Sequence, residues 1–339
     1  MAETYSVPGT PRVYIDNILF GRSIGIPIET NTGNQLLWDM DPVRTTNYQG
    51  AGVNEIHIEL FIRQENLEDT YAFQGLLSTS NYVAVFNHNF YSGGDPVSIR
   101  VSQSTVDGTN TTITPGSLVG DFSFIESDGY MIGTLPYQPS SGTKEFDIRV
   151  NSSEGSEVNF SDDHNYNIGC CSFGTYLDFP VSPDLSVKMG YSHEGVQSKR
   201  TIAGKDLTHV SYYGAPNWGA LPPFTKTNDN NHEINFSGAG LTGRKTWDMK
   251  FSYVDKTDMF NAVQSGSSAG IYNNGELEHD TSIIGTYLSR TLGGKLRHVL
   301  QPDNSKNEFY MVKLDQKSTS ITQVAHGVFE ISFKFVQVW

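Results

Sequence analysis

Cysteine is nearly absent from this chain of 339 residues: there are two, adjacent at Cys170 and Cys171. Neighbouring cysteines rarely reach disulfide geometry. A disulfide-stapled scaffold is therefore excluded, and two free thiols in a buried strand are expected. Long apolar runs are also missing. The longest are strand-sized, so no membrane-spanning helix and no membrane insertion are expected. Residues 1–10 are polar and lack the apolar segment of a secretory leader. Basic charge is scarce: 23 Lys and Arg stand against 37 Asp and Glu, a formal net charge of −14. Phosphate binding needs clustered Lys and Arg, and here they are scattered without a run, so specific nucleic-acid binding is not expected. The acidity has two readings: simple solubility, or a negative lumen along which DNA slides without sticking.

Catalytic and metal signatures are missing as well. There is no Gly-x-Ser-x-Gly elbow, no phosphate-cradling glycine loop ending in Gly-Lys-Ser/Thr, and no HExxH motif. His279, His298 and His326 have no metal-ligand spacing. Asp39, Asp41 and Asp303 have no helix-face partners, so no glycosidase pair can be built from them. Asp162-Asp163-His164 offers cation donors but lacks the spaced oxygens and glycine turn of a calcium loop, and reads as a solvated loop. His88, in Asn87-His88-Asn89, is expected to be a hydrogen-bonded turn histidine. No catalytic residue, cofactor or metal is expected, and the chain does not read as an enzyme.

What is abundant points to β-structure. Aromatics make up 12% of the chain and glycines number 33, as many strands and turns require. Ile56, Ile58, Leu60 and Ile62 alternate with His57, Glu59, Phe61 and Arg63, the pattern of a strand with one buried face. Residues 81–87 form an apolar run with both faces buried. Val97, Ile99 and Val101 alternate with polar residues, as do Phe146, Ile148 and Val150. Ser92-Gly93-Gly94-Asp95-Pro96, Asp107-Gly108, Asp128-Gly129 and Ser141-Gly142 separate such runs as turns. The fold class expected is mainly β: an antiparallel β-sandwich, jelly-roll-like, over 1–195, and a second β-barrel or sandwich domain over 196–339. Residues 67–74 read as helical or extended, 151–167 as a polar loop, and 205–224 as a long ordered loop or domain junction.

The second half carries one or two short helices. Trp247, Met249, Phe251 and Tyr253 alternate in a strand. Asp255 is placed to cap a helix over 256–264, with Asp258 three residues on. A second helix is expected near 281–291: Ile283, Ile284, Tyr287 and Leu288 fall at helical spacing, and Gly293-Gly294 ends it. Strands are expected over 296–300, 308–314 and 327–338.

Two stretches resemble known proteins. Gly243-Arg244-Lys245-Thr246-Trp247, Phe251-Ser252-Tyr253, Asp258-Met259-Phe260, Leu292-Gly293-Gly294 and Leu300-Gln301-Pro302-Asp303 precede a final strand reaching Trp339. In that order they resemble the tube-like β domain of tailed-bacteriophage tail tube and distal tail proteins. Ser80 to Phe90, followed by Val97 to Val101, is similar to discoidin-like jelly rolls attached to many phage structural proteins. Together the two blocks cover about two-thirds of the chain. The resemblance implies a virion structural protein, a distal tail or hub component forming a ring of three- or six-fold symmetry that links the tail tube to the tip. Its implied partners are copies of itself and other tail proteins, and its implied place is the virion tail, assembled in the host bacterial cytoplasm. The alternative is a carbohydrate-binding adhesion or decoration module on the virion surface, since some relatives of the jelly roll bind sugars.

Four residues stand out as candidate inter-subunit contacts: Trp218, Arg244, Trp247 and Trp339. Trp218 sits among Tyr212, Tyr213, Pro222, Pro223 and Phe224. That cluster either stacks on a sugar or a neighbouring subunit, or pins its own loop. Arg244 and Trp247 open a strand, and the chain ends on the bulky Trp339, which is expected to dock in a pocket.

Overall fold

The computed structural model describes residues 9–30, 34–42, 44–49, 55–62, 75–76, 79–90, 98–105, 110–113, 118–119, 129–135, 143–151, 165–193, 196–210, 244–260 and 282–338. The strands are β1 (Arg12–Asp16), β2 (Ile28–Thr30), β3 (Thr46–Gln49), β4 (Glu55–Ile62), β5 (Tyr82–His88), β6 (Ser98–Thr105) and β7 (Asn110–Ile113). Then come β8 (Leu118–Val119), β9 (Gly129–Thr134), β10 (Thr143–Asn151), β11 (Asn165–Ile168), β12 (Cys170–Asp178), β13 (Lys188–Ser192) and β14 (Val196–Arg200). The last six are β15 (Asp206–Val210), β16 (Arg244–Asp255), β17 (His298–Gln301), β18 (Tyr310–Leu314), β19 (Ile321–Ala325) and β20 (Val328–Gln337). Short helices cover Asn17–Ser23, Lys256–Met259 and Ile283–Arg290, and a 3₁₀ turn covers Gln35–Trp38. The protein is mainly β, antiparallel throughout its pairings, and of the β-sandwich class.

One long sheet runs β13-β16-β20-β18-β17-β1-β12-β5-β9-β8, with β19 also on β20. A second sheet, β2-β4-β10-β6-β7, lies across part of it. Between the two, Ile28, Ile56, Ile58, Leu60, Val101 and Ile148 meet Val83, Val85, Met131, Cys171 and Phe173 in one buried cluster. From β4 to β10 the chain passes back and forth between the sheets, with β6–β7 and β8–β9 each paired within one sheet. Strand β5 explains why residues 81–87 are apolar on both faces. Val83 and Val85 enter the sandwich, while Tyr82, Ala84 and Phe86 join Tyr14, Tyr130, Val299, Phe309 and Met311 behind it.

Strand β1 pairs with β12 on one side and with β17 on the other, so residues from both sides of position 195 share one sheet. A separate core covers the β16–β20 end. There Val13, Ile15, Trp247, Phe251, Val312, Ile331, Phe333 and Phe335 pack with Ile284 and Tyr287 of the last helix. Tyr287 meets Phe179, Phe333 and Phe335 ring to ring.

Helix ends follow their local chemistry. Asp255 accepts a hydrogen bond from Thr257 N at 2.9 Å, as its capping position predicts. The helix there covers Lys256–Met259; residues 261–264 of the expected span lie outside the described residues. The last helix ends where left-handed Leu292, Gly293 and Gly294 turn the chain, as the double glycine predicts.

Three expectations are corrected. The alternation in β16 breaks after Phe251 at a bulge, where Tyr253 takes a φ of 65°. Tyr253 is thereby turned outward, and Val254 occupies the core. The polar stretch 151–167 is not all loop, since β11 pairs with β3. Strand β15 lies at the start of the stretch read as a loop over 205–224.

Candidate interaction surface

Among the described residues strand β13 is the outermost strand of the long sheet and pairs only with β16. Its unpaired edge leaves backbone N–H and C=O groups available to another strand. Three large apolar side chains on or beside it are uncovered: Leu185 is fully exposed, Met189 is 71% exposed and Tyr191 53%. Directly after it, β14 and β15 form a hairpin that is a sheet of its own. Its turn is closed by Gly204 N to Thr201 O at 2.9 Å and Thr201 N to Lys205 O at 2.8 Å. Gly204, at φ 83°, supplies the left-handed residue that such a hairpin loop requires. Ile202 sits at the tip, fully exposed, and Leu207 is 51% exposed.

Of the four candidate contact residues, Trp218 and Trp339 lie outside the described residues. Arg244 donates from Nη1 to Val338 O at 2.7 Å, tying the start of β16 to the end of the chain. Trp247 is buried in its own chain's core against the Tyr310 ring, 4.7 Å between centroids. Lys245 Nζ donates to Tyr310 Oη at 2.7 Å on the same patch.

A second constellation is buried and polar. Asn17 Nδ2 donates to Leu76 O (3.0 Å), Ser80 Oγ (2.9 Å) and Thr175 Oγ1 (3.0 Å). Arg290, at the end of the last helix, donates to Asn17 Oδ1 (3.2 Å), Thr79 Oγ1 (2.7 Å) and Thr175 Oγ1 (3.2 Å). Beside it Asp16 caps the first helix through Oδ1, accepting from Ile18 N and Leu19 N. Asp16 Oδ2 has no well-formed hydrogen bond, and the neighbouring Ser172 hydroxyl pairs with Tyr82 Oη at 2.7 Å. Burial pushes the Asp16 carboxyl up to about 7, against the pull of its hydrogen bonds. No pattern along the chain marks this cluster, because its members are ordinary polar residues far apart in sequence.

Among the described residues two histidines are buried. His298 is buried, with Tyr287 Oη 3.0 Å from Nε2 and Leu296 O 2.9 Å from Nδ1. His88 departs from expectation: it is buried at the end of β5, stacked on Phe90 at 4.7 Å. Its ring nitrogens lack a well-formed hydrogen bond, the Tyr130 backbone offering only a weak one. Burial pushes both imidazoles down to about 4. Cys170 and Cys171 are free and buried, as expected, and burial pushes both thiols up. Asp303 caps its own turn, accepting from Gly9 N and Ser305 N. Among the described residues no group of three His, Cys, Asp or Glu is placed to hold a metal, and no helix is long and apolar enough to cross a membrane. Asp162, Asp163, His164 and His279 lie outside the described residues.

Comparison with known protein families, with curated proteins and with solved structures finds no match.

Proposed function

We propose that this chain is a structural component of a bacteriophage tail, a distal tail or hub protein whose copies form a ring joining the tail tube to the tip. The observation that carries this reading is the apolar sheet edge at β13. Leu185, Met189 and Tyr191 are uncovered beside a strand whose outer edge has no partner among the described residues. Soluble monomers usually blunt such an edge, and a neighbour that adds to it removes the liability. A heterologous edge contact either closes into a ring or grows without limit, and tail architecture requires closure. The order of elements in residues 243–339, on which the resemblance to tail proteins rests, supports the same reading.

The test is the mass of the purified chain across a concentration series, with negative-stain images of the same samples. Rings of fixed size support the proposal and give the symmetry. Open tubes would favour a tube protein over a hub. A chain that stays monomeric at every concentration and is missing from virions overturns the reading.

A further inference from the structure

The hairpin β14–β15 is the least covered pair of strands among the described residues: from Gln197 to His209 every residue but Thr201 is exposed. An isolated two-stranded hairpin is marginal in water, so an arm of this kind gains from a partner. Its local charge is opposite in sign to the net charge of the chain. Lys199, Arg200 and Lys205 face a single carboxylate, Asp206, in a protein with 37 acidic and 23 basic residues. Arg200 lies 3.8 Å from Asp206, and both are largely exposed. Apolar exposure is concentrated here too: of the ten exposed large hydrophobic residues described, Leu185, Met189, Tyr191, Ile202 and Leu207 fall within residues 185–207. Scattered apolar residues are ordinary on a surface, but a cluster marks an interface.

We propose that the β14–β15 arm docks on a second copy of this chain, its basic stem on that copy's acidic surface and Ile202 in an apolar contact. This rests on the reading of the chain as a self-assembling protein. The occupant follows from charge: a chain of net charge −14 that presents a basic arm is complementary to itself. A long-range attraction to phosphate polymers or anionic lipid is opposed by the net charge of −14. The size fits as well. Residues 185–192 with 196–210 are about what one side of a standard interface uses, roughly 20–30 residues. Among the described residues the arm pairs with no other strand, so substitutions at its tip leave the cores untouched.

The test compares the full chain with Ile202→Asp and with the triple reversal Lys199→Glu, Arg200→Glu, Lys205→Glu, by sedimentation over a concentration series at low and high salt. Circular dichroism confirms that each variant is folded. A photo-crosslinker at position 202 reports the contact directly. Ile202→Asp is expected to weaken self-association about 10- to 100-fold, the effect of losing one fully buried aliphatic side chain. Association of the unaltered chain is expected to weaken with salt, and that dependence to fall in the triple variant. If the unaltered chain and both variants assemble equally, the arm proposal falls while the ring reading stands. If the unaltered chain stays monomeric and position 202 crosslinks to no second copy, the arm proposal falls, and absence from virions as well makes the ring reading fall with it. Binding of the monomer to phosphatidylglycerol vesicles or to single-stranded DNA, without self-association, overturns the second copy as occupant.

Discussion

Asp16 offers the sharpest test of the structure, through Asp16→Asn. The native side chain is buried, caps the first helix through Oδ1 and leaves Oδ2 without a well-formed partner. Asparagine keeps the capping oxygen and is as good a cap, but it cannot ionise. Burial raises the carboxyl from its ordinary 3.8 to about 7 in the folded protein. The protonated form is favoured by folding, so its contribution is fully present below pH 3.8 and is lost as pH rises through 7. Each pH unit of separation is worth about 1.4 kcal/mol, which makes the whole span about 4 kcal/mol. Urea unfolding of both proteins at half-unit steps from pH 4 to 8 gives the difference in stability as a function of pH. Any fixed penalty for the new amide N–H₂ is independent of pH, and the histidines titrate alike in both proteins, so neither affects the slope. The difference is expected to move toward the variant by about 4 kcal/mol over that range. A difference flat to within about 0.5 kcal/mol would show that Asp16 is solvated in the folded state and that the buried joint is wrongly placed.

His88→Phe tests the other end of the pH scale. Folding holds this imidazole near 4, below its ordinary 6.5, so its contribution is present above pH 6.5 and lost as pH falls toward 4. Relative to the parent, the variant is expected to gain about 2–3 kcal/mol between pH 7 and pH 4.5 in urea unfolding; no gain would refute its burial as a neutral ring. Gly174→Ala tests the seam between β12 and β1. A Cβ there would sit 1.9 Å from Ile15 O and 2.7 Å from Asn17 N, both backbone atoms. A loss of more than about 3 kcal/mol is expected in thermal unfolding. Gly190→Ala on the exposed edge, whose nearest atom is Thr246 Oγ1 at 3.2 Å, is the matched control and should cost under about 1 kcal/mol.

The strands that were legible in sequence are those whose two faces differ. Ile56, Ile58 and Leu60 alternate because one face of β4 is buried, and the capped turn at Asp255 announces itself by residue type. Strand β13 and the β14–β15 hairpin were not legible, because nearly every residue is exposed and no alternation is imposed on them. Tyr253 was misassigned for a related reason: a bulge shifts the period by one, and nothing in an alternating string marks where. The candidate surface therefore lay where pattern reading is weakest. Trp247 drew attention as a large aromatic, yet it serves the core of its own chain.

The polar joint explains how one face of the long sheet carries two cores. Along a single face of β12, Cys171 and Phe173 belong to the sandwich core, and Leu177, followed by Phe179, packs into the other. Thr175 stands between them, and there Asn17 and Arg290 converge. An apolar residue at that point would merge the two cores and leave the Asn17 amide short of a partner, at about 1–3 kcal/mol for an unsatisfied buried group. The chain makes the same transition where β1 passes into the first helix, Ile15 entering one core and Ile18 the other, with Asn17 between. Arg290 comes from the last helix and Asn17 from the first, so the network closes only when both ends of the chain are in place. Slippage of β1 by one residue against β12 would take Asn17 off Thr175 and expose Val13 and Ile15 to the opposite face, which makes the joint a register lock between the halves.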